Sequence, residues 1–509
     1  MLAIVSCSFL LPLQYANAQS WGWATQSGGN CAVTPYSAVT DKKGNVYIVG
    51  GAESHPHSLE DSVSFDAQTF QIGYNTDDFF LVKYDPNGKI LWAKVPISQY
   101  LSYYANSIVI DAADNIYVAG GYESSVTIEG TTLTTADEAI FLIKYNPDGN
   151  MIWAKNARAN LPGTVESPNA LACDPGCNIY LAASTADNNY TYRATLLVKC
   201  DSAGNELWET GTRYTGFEFG KCVNTDRNGN VYIIGECDSS VSFGNYTLSG
   251  SDTQSTAFLV KYDSSGNVLW AKADSSWTDG TAVVCDRAGN IYVTGSEINL
   301  IYLLKYDADG NKIWKKSDDR YPKDIKVSYP YDMAIDPAGN VYITGWFDGS
   351  VTIDTAKLYG YSLFLLKFDS SGSIIWAWGA GNEYSLGSAL ACDNDGNCYF
   401  AGRFNSFLQL GPNPLFSNAD DNPMFLTKFY GTVKSHIGNT TIIYPNPTSS
   451  MLKIEAAKIT DVTIINTLGK SIFYQQVNSD VVNIDVSALP FGVYFVKING
   501  SEVKKFVKE

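Results

Sequence analysis

Two coupled phrases recur seven times along this 509-residue chain, and that recurrence restricts the fold more than any other feature. The first phrase is an apolar run ending in Lys-Tyr-Asp or a near variant, then a Gly turn and a Trp, as in FLVKYDPNGKILW from Phe80 to Trp92. The second is Asp-x-x-Gly-Asn-x-Tyr followed by small and β-branched residues, as in DPAGNVYITG from Asp336 to Gly345. The Lys of the first phrase falls at Lys83, Lys144, Lys199, Lys261, Lys305, Lys367 and Lys428, with spacings of 61, 55, 62, 44, 62 and 61. The Asp of the second falls at Asp41, Asp111, Asp174, Asp226, Asp286, Asp336 and Asp393. Strand-like text at a period of about 40–60 residues is the signature of radially arranged β repeats. The expected fold is all-β, a seven-bladed propeller over residues 19–431 with a smaller β-sandwich after it.

Each repeat is expected to supply four strands. In the second copy these cover Ser107–Asp111, Asn115–Tyr122, Ile140–Asn146 and Met151–Lys155, with a middle strand near Val126–Glu129. Both Gly turns suit hairpins, because Asp bonds its own backbone two residues on and Gly accepts positive φ. Side chains alternate along a strand. Residues one and three before each repeat Asp are mostly apolar, as in Ile335 and Met333, and are expected between blades. Residues two and four before it are small, as in Val109 and Ser107 or Ala391 and Ala389, and are expected to line a central channel that holds no Lys, Arg or His. The Trp that closes the first phrase falls at Trp92, Trp153, Trp208, Trp270, Trp314 and Trp376. The last copy lacks one and ends at Phe429-Tyr430-Gly431, whereas an orphan Trp21-Gly22-Trp23-Ala24 opens the chain. Trp23 is therefore assigned as the seventh, and the N-terminal strand is expected to pair with Phe425–Phe429 and close the ring.

These phrases resemble the SBBP β-propeller repeat family from about residue 20 to 430. The Asp-x-x-Gly-x-x-x-Trp element is also similar to the tryptophan-docking motif of quinoprotein propellers, a likeness of blade packing that implies no quinone. After a polar linker at 432–441 comes Pro445-Asn446-Pro447, then alternating strands, Leu489-Pro490-Phe491-Gly492-Val493-Tyr494 and a basic tail. Turns and alternation give a small β-sandwich over 442–509. The text, with Pro445, Asn446, Pro447, Leu489, Pro490, Gly492 and Tyr494 in order, resembles the type A sorting domain of type IX secretion cargo. That resemblance implies export across the outer membrane of a Bacteroidota-type bacterium, with the secretion machinery as partner and a secreted or surface-held product.

The apolar stretch of residues 2–13 followed by Ala16-Asn17-Ala18 reads as a signal peptide over 1–18, too short for a span. A charge of −17 argues against nucleic acid or an anionic membrane surface. Nine cysteines remain after Cys7, mostly as small apolar residues, with Cys392 and Cys398 placed to bridge one turn. None has zinc spacing, and no metal or cofactor is expected.

Three His (His55, His57 and His436) cannot assemble a Ser-His-Asp set, and His55-Pro56-His57 reads as a solvated loop. The Asp-Gly turns lack the bidentate Glu of a calcium loop. Asp332 stands out: four before its repeat Asp, it is an acid where the other copies carry Ser, Ala or Cys. Both Gly turns lie at one end of each blade, so the irregular connections lie at the other. There the aromatics cluster, and Tyr104, Phe219, Trp277, Tyr329, Tyr331, Asp332 and Tyr384 are the candidate ligand contacts. The expected activity is binding of a glycan or protein outside the cell. The alternative is an extracellular polysaccharide hydrolase or lyase using carboxylates near the channel mouth.

Overall fold

The structure, a computed structural model, describes residues 21–430 and 442–508. Short stretches within them lie outside the description: 56–57, 59, 74–76, 97–102, 158–163, 188–192, 213–217, 239, 251–254, 275–278, 298, 319–326, 383, 419–420, 445–447, 449, 468 and 501. The signal segment and Trp277 therefore lie outside the described residues. The described regular structure is all β, and no described helix is long and apolar enough to cross a membrane. Two compact units, Met1–Gly431 and Thr432–Glu509, make up the chain.

The first unit contains seven four-stranded antiparallel sheets among its described residues. Numbered in chain order, their inner strands are Ala32–Thr40, Tyr103–Ile110, Thr164–Cys173, Glu218–Thr225, Asp279–Cys285, Val327–Ile335 and Leu386–Cys392. Each inner strand packs against the inner strands before and after it, and the seventh packs against the first. The second sheet has no separate middle strand, because Ile116–Ile128 runs straight through Val126 and returns as Thr131–Tyr145.

The repeated residues explain how neighbouring sheets are joined. In the second sheet Asp111 Oδ1 accepts the N–H groups of Ala113 and Asn115, while Oδ2 accepts Asn115 Nδ2 and the Tyr117 hydroxyl. Burial opposes the Asp111 charge, but these donors outweigh it and hold the carboxyl below its usual range. Lys144 lies 3.7 Å from this carboxylate and 4.8 Å from the Tyr117 ring centre, and it donates to the Ser202 carbonyl of the third sheet at 3.0 Å. Trp153 covers the same third-sheet turn so closely that a Cβ on Gly204 would stand 2.6 Å from its ring, at φ +78°. Lys83, Lys199, Lys261, Lys305 and Lys428 reach the corresponding carbonyls of Pro147, Ser264, Ala308, Ser370 and Pro86. A buried cation committed to a backbone carbonyl across the seam locks these six sheets to their neighbours.

The step from the sixth sheet to the seventh is built differently. The outer strand of the seventh sheet is Trp21–Gln26, antiparallel to Met424–Phe429, with Trp21 opposite Phe429 and Gln26 opposite Phe425. No hairpin turn joins these two strands, so Trp376 has no turn glycine to cover. It packs 6.2 Å from Trp21 and 5.3 Å from Phe429, with Trp378 at 4.9 Å from Trp21. Edge-on and tilted ring contacts among Trp21, Trp376, Trp378 and Phe429 fill this seam.

Small residues of the inner strands do not line a channel. Val39 packs with Ile108 and Ile110 of the second sheet, and Ala170 and Ala172 pack with Val223 of the fourth. Both faces of an inner strand thus lie between sheets, and its unpaired backbone edge is what remains towards the middle. The small side chains let inner strands approach one another. Cys392 and Cys398 stand directly opposite in the seventh sheet as thiols.

In the second unit, five strands form one sheet, with Met451–Asn466 pairing both Ser471–Asp485 and Gly492–Ile498. Leu452, Ile454, Ile464, Val496 and Phe506 are buried in its core. Tyr494 stacks on Phe506 at 5.5 Å and donates its hydroxyl to the Pro490 carbonyl at 2.8 Å. Gly492 and Leu489 belong to the same stretch, whereas Pro445, Asn446 and Pro447 lie outside the described residues.

Candidate functional site

Every inner strand breaks register at the same place, five residues before its repeat Asp. The unpaired residues are Tyr36, Asn106, Asn169, Lys221, Thr281, Tyr331 and Ser388. A bulge re-aims its side chain out of the alternating pattern. Seven bulges at one level form a collar at the connection end of the inner strands. Three members tie sheets together: Asn106, Asn169 and Ser388 donate to the carbonyls of Pro168, Gly220 and Pro35, each in the next sheet. Lys221 instead meets Asp279 at 2.8 Å and Glu236 at 3.0 Å. Burial opposes its charge, but the two acids outweigh burial and raise its pKa. Lys221 stands five before its repeat Asp, one position beyond the inner-strand positions that hold no Lys, Arg or His.

Tyr36 and Tyr331 occupy the collar in the first and sixth sheets and are 36% and 46% exposed. Two residues further along the strands, Tyr104, Phe219 and Tyr329 share one level in the second, fourth and sixth sheets. Tyr104 covers Gly121, Phe219 lies 4.5 Å from the Arg193 guanidinium, and Tyr329 donates its hydroxyl to Asn299 at 2.8 Å. These three stand in separate sectors. Among the described residues, only the sector of the sixth and seventh sheets gathers several candidates, namely Tyr329, Tyr331, Asp332 and Tyr384.

Asp332 is a strut in that sector. Its Oδ2 accepts the Leu390 N–H of the seventh sheet at 2.7 Å, and its Oδ1 accepts the Met333 N–H at 2.7 Å. Ser107, at the same register position in the second sheet, likewise accepts the Leu171 N–H of the third at 2.8 Å. Burial pushes the Asp332 carboxyl up to about 7, against the two backbone bonds that favour its ionised form.

In the same pair of sheets, Tyr384 is 60% exposed and lines a cleft of about 390 Å³ with Tyr361, Asn382 and Asn405. Asn382 Nδ2 donates to the Asn405 carbonyl at 3.1 Å, which fixes the cleft floor. Arg403 lies two residues before Asn405, with Leu386 as its cross-strand neighbour. Sequence alignment on the repeat Asp stopped at four residues upstream and so missed Tyr36, Lys221 and Arg403. Extending it to the fifth upstream and tenth downstream residue would have isolated them. A second depression, of about 400 Å³, lies at the turn end beside Asp286, Asp336 and Asp393. Those carboxylates are committed to their own turns. Among the described residues no cluster of His, Cys, Asp and Glu could hold a metal ion.

Sheets ranged around a common middle and joined through their turns define a β-propeller protein. Residues 326–349 match the beta-propeller repeat family, and residues 442–509 match the secretion system C-terminal sorting domain family. This is an exported protein: the sorting domain marks cargo that the type IX system delivers to the cell surface or beyond. A curated relative, an uncharacterized WD repeat-containing protein of Acanthamoeba polyphaga mimivirus, is 22% identical over 79% of this chain and 32% of its own length. The chain thus spans about a third of that relative. Among solved structures, a protein of unknown function from Bacteroides caccae is 13% identical over 61% of this chain and 94% of its own, with a TM-score of 0.36. Virginiamycin B lyase from Staphylococcus aureus, an inactive variant with quinupristin, is 9% identical over 80% and 99%, with a TM-score of 0.40. An ulvan lyase of polysaccharide lyase family PL25 is 9% identical over 78% and 96%, with a TM-score of 0.43.

Proposed function

We propose that this chain is an exported seven-bladed propeller, closed by its N-terminal strand, that recognises a glycan at the connection end of the ring. The ring would span residues 19–431, with a linker at 432–441 and a β-sandwich sorting domain at 442–509. The observation that carries the reading is the sector of the sixth and seventh sheets. There Tyr331 is half exposed on the inner strand, and the more exposed Tyr384 lines a cleft with amide walls, of a size for one or two sugar rings. Tyrosine faces suit the apolar faces of sugars, and the Asn side chains suit hydroxyl groups. A glycan array probed with the full exported chain is expected to give binding that a Tyr329→Ala/Tyr331→Ala double variant loses. Unchanged binding in that variant removes the face assignment, and capture of a protein with no glycan signal replaces the ligand class.

A second reading is supported by the Asp332 pKa. A carboxyl held near 7 has the acid strength a polysaccharide hydrolase or lyase needs in its general acid. Turnover on a polysaccharide panel, abolished in Asp332→Asn, would establish it. For export, deletion of residues 442–509 is expected to leave the propeller in the periplasm. Normal secretion of the truncated chain would refute the role of the tail.

A further inference from the structure

The basic residues at the connection end are not equivalent. Lys221 is engaged by Asp279 and Glu236. Arg403, on the far side of the collar, has no ion pair among the described residues in a chain of net charge −17. Its Nη1 donates to Thr34 Oγ1 of the first sheet at 3.2 Å. Burial raises the Tyr331 phenol in the sixth sheet, and the Arg403 charge draws it back down. The guanidinium therefore acts on both neighbours of the seventh sheet, beside the two exposed collar tyrosines. Its Nε is buried and has no hydrogen-bond partner among the described residues.

Trp346 shares this register position in the sixth sheet, opposite Tyr329, and its Nε1 is likewise buried and unpartnered. A buried donor without an acceptor is destabilising. Two of them in adjacent sheets at one level make a locus with donors to spare. A group that only accepts, and carries charge, is its chemical complement. The planar guanidinium fork matches a carboxylate or a sulfate better than it matches a hydroxyl.

We propose that the ligand of this sector is an acidic glycan, and that Arg403 holds its carboxylate or sulfate. The proposal rests on the glycan reading above and adds the charge of the sugar. Arg403 ends its strand and Asn405 follows two residues on, at most about 7 Å along the chain. A charged ring on Arg403 would therefore leave the next ring at the cleft of Tyr384, Tyr361 and Asn382.

The test uses the full exported chain and oligosaccharides in matched pairs: uronate-containing with carboxyl-reduced, and sulfated with desulfated. Binding to an acidic member is expected, at least about tenfold tighter than to its neutral counterpart, with the same loss in Arg403→Met and partial retention in Arg403→Lys. Preference for the uronate pair or the sulfate pair identifies the group held. A thermal melt of Arg403→Met checks that the variant folds, and its binding of the neutral member provides a second control. Equal binding of both members of each pair, or unchanged acidic binding in Arg403→Met, overturns the proposal. If neutral glycans bind and Tyr331→Ala removes that binding while Arg403→Met does not, the acidic assignment falls and the glycan reading stands. If no glycan binds, both fall. Cleavage of the acidic glycan that depends on Arg403 would keep the charge assignment and make the protein an enzyme.

Discussion

The two ends of the inner strands are made of the same backbone and carry opposite kinds of information. At the turn end seven similar Asp turns, five with Gly and two with Asp114 or Cys177 at positive φ, satisfy their own carboxylates, and the buried lysines spend their charge on the next sheet's carbonyls. Little is left over for a partner. At the connection end seven bulges hold Tyr, Asn, Lys, Thr and Ser. Only some of these are consumed by seam bonds. The ring is thus stabilised where its residues repeat and individual where they do not, and substitutions at the two ends should separate stability from binding.

The largest effect is expected at the turn end. Asp111→Ala removes the acceptor of Asn115 and Tyr117 and leaves Lys144 buried without its carboxylate. Breaking a buried pair from one side costs about 3–5 kcal/mol. Chemical denaturation should show a loss of that order, with ligand affinity unchanged in the fraction that remains folded. A loss below about 1 kcal/mol would mean that water screens the pair and that the seams are held chiefly by their Trp contacts.

This contrast also explains what was readable beforehand. Asp, Gly, Lys and Trp of the turn end were legible because each has a local reason for its position: a self-bonded turn, a positive φ, a ring that covers a glycine. The pairing of Trp21 and Trp23 with the last strand was open to counting alone, since one copy lacked a Trp. The collar was not legible, because a bulge is a property of backbone pairing. Nothing in Tyr36 or Tyr331 announces that it leaves the alternation. The same blindness misassigned Val109 and Ala172 to a channel. Alternation separates two faces, and in a ring of radial sheets both faces meet a neighbour. Asp332 was visible as an anomaly, yet only the Leu390 N–H opposite it reveals a strut.

An intermediate effect is expected at that strut, between the two ends. The folded Asp332 carboxyl titrates near 7 against an ordinary value of 3.8, so the folded state holds a proton that the unfolded state has released between those values. Stability therefore falls as pH rises from about 4 to about 7 and levels off above. Half-exposure tempers the full shift, and about 2 kcal/mol of pH-dependent loss is expected. Asp332→Asn should remove this slope: less stable than the native chain at pH 5, where Asn offers one acceptor to two N–H groups, and closer to it at pH 8. Parallel pH profiles for the two proteins would assign the slope to other groups.

The smallest stability effect belongs to the collar itself. Tyr331 has a large exposed surface, and its neighbours Pro330 and Asp332 keep the inner strand in place through backbone pairing and the strut. Tyr331→Ala is therefore expected to change unfolding free energy by about 0.5 kcal/mol or less, the range of surface substitutions. The same change removes the ring whose phenol feels the Arg403 charge, so its binding loss should far exceed its stability loss. The equivalent change at Tyr36, one sheet past Arg403 on the other side, should behave alike if the collar acts as one surface. A variant that melts early and binds normally would reverse the comparison and make Tyr331 another piece of the seam.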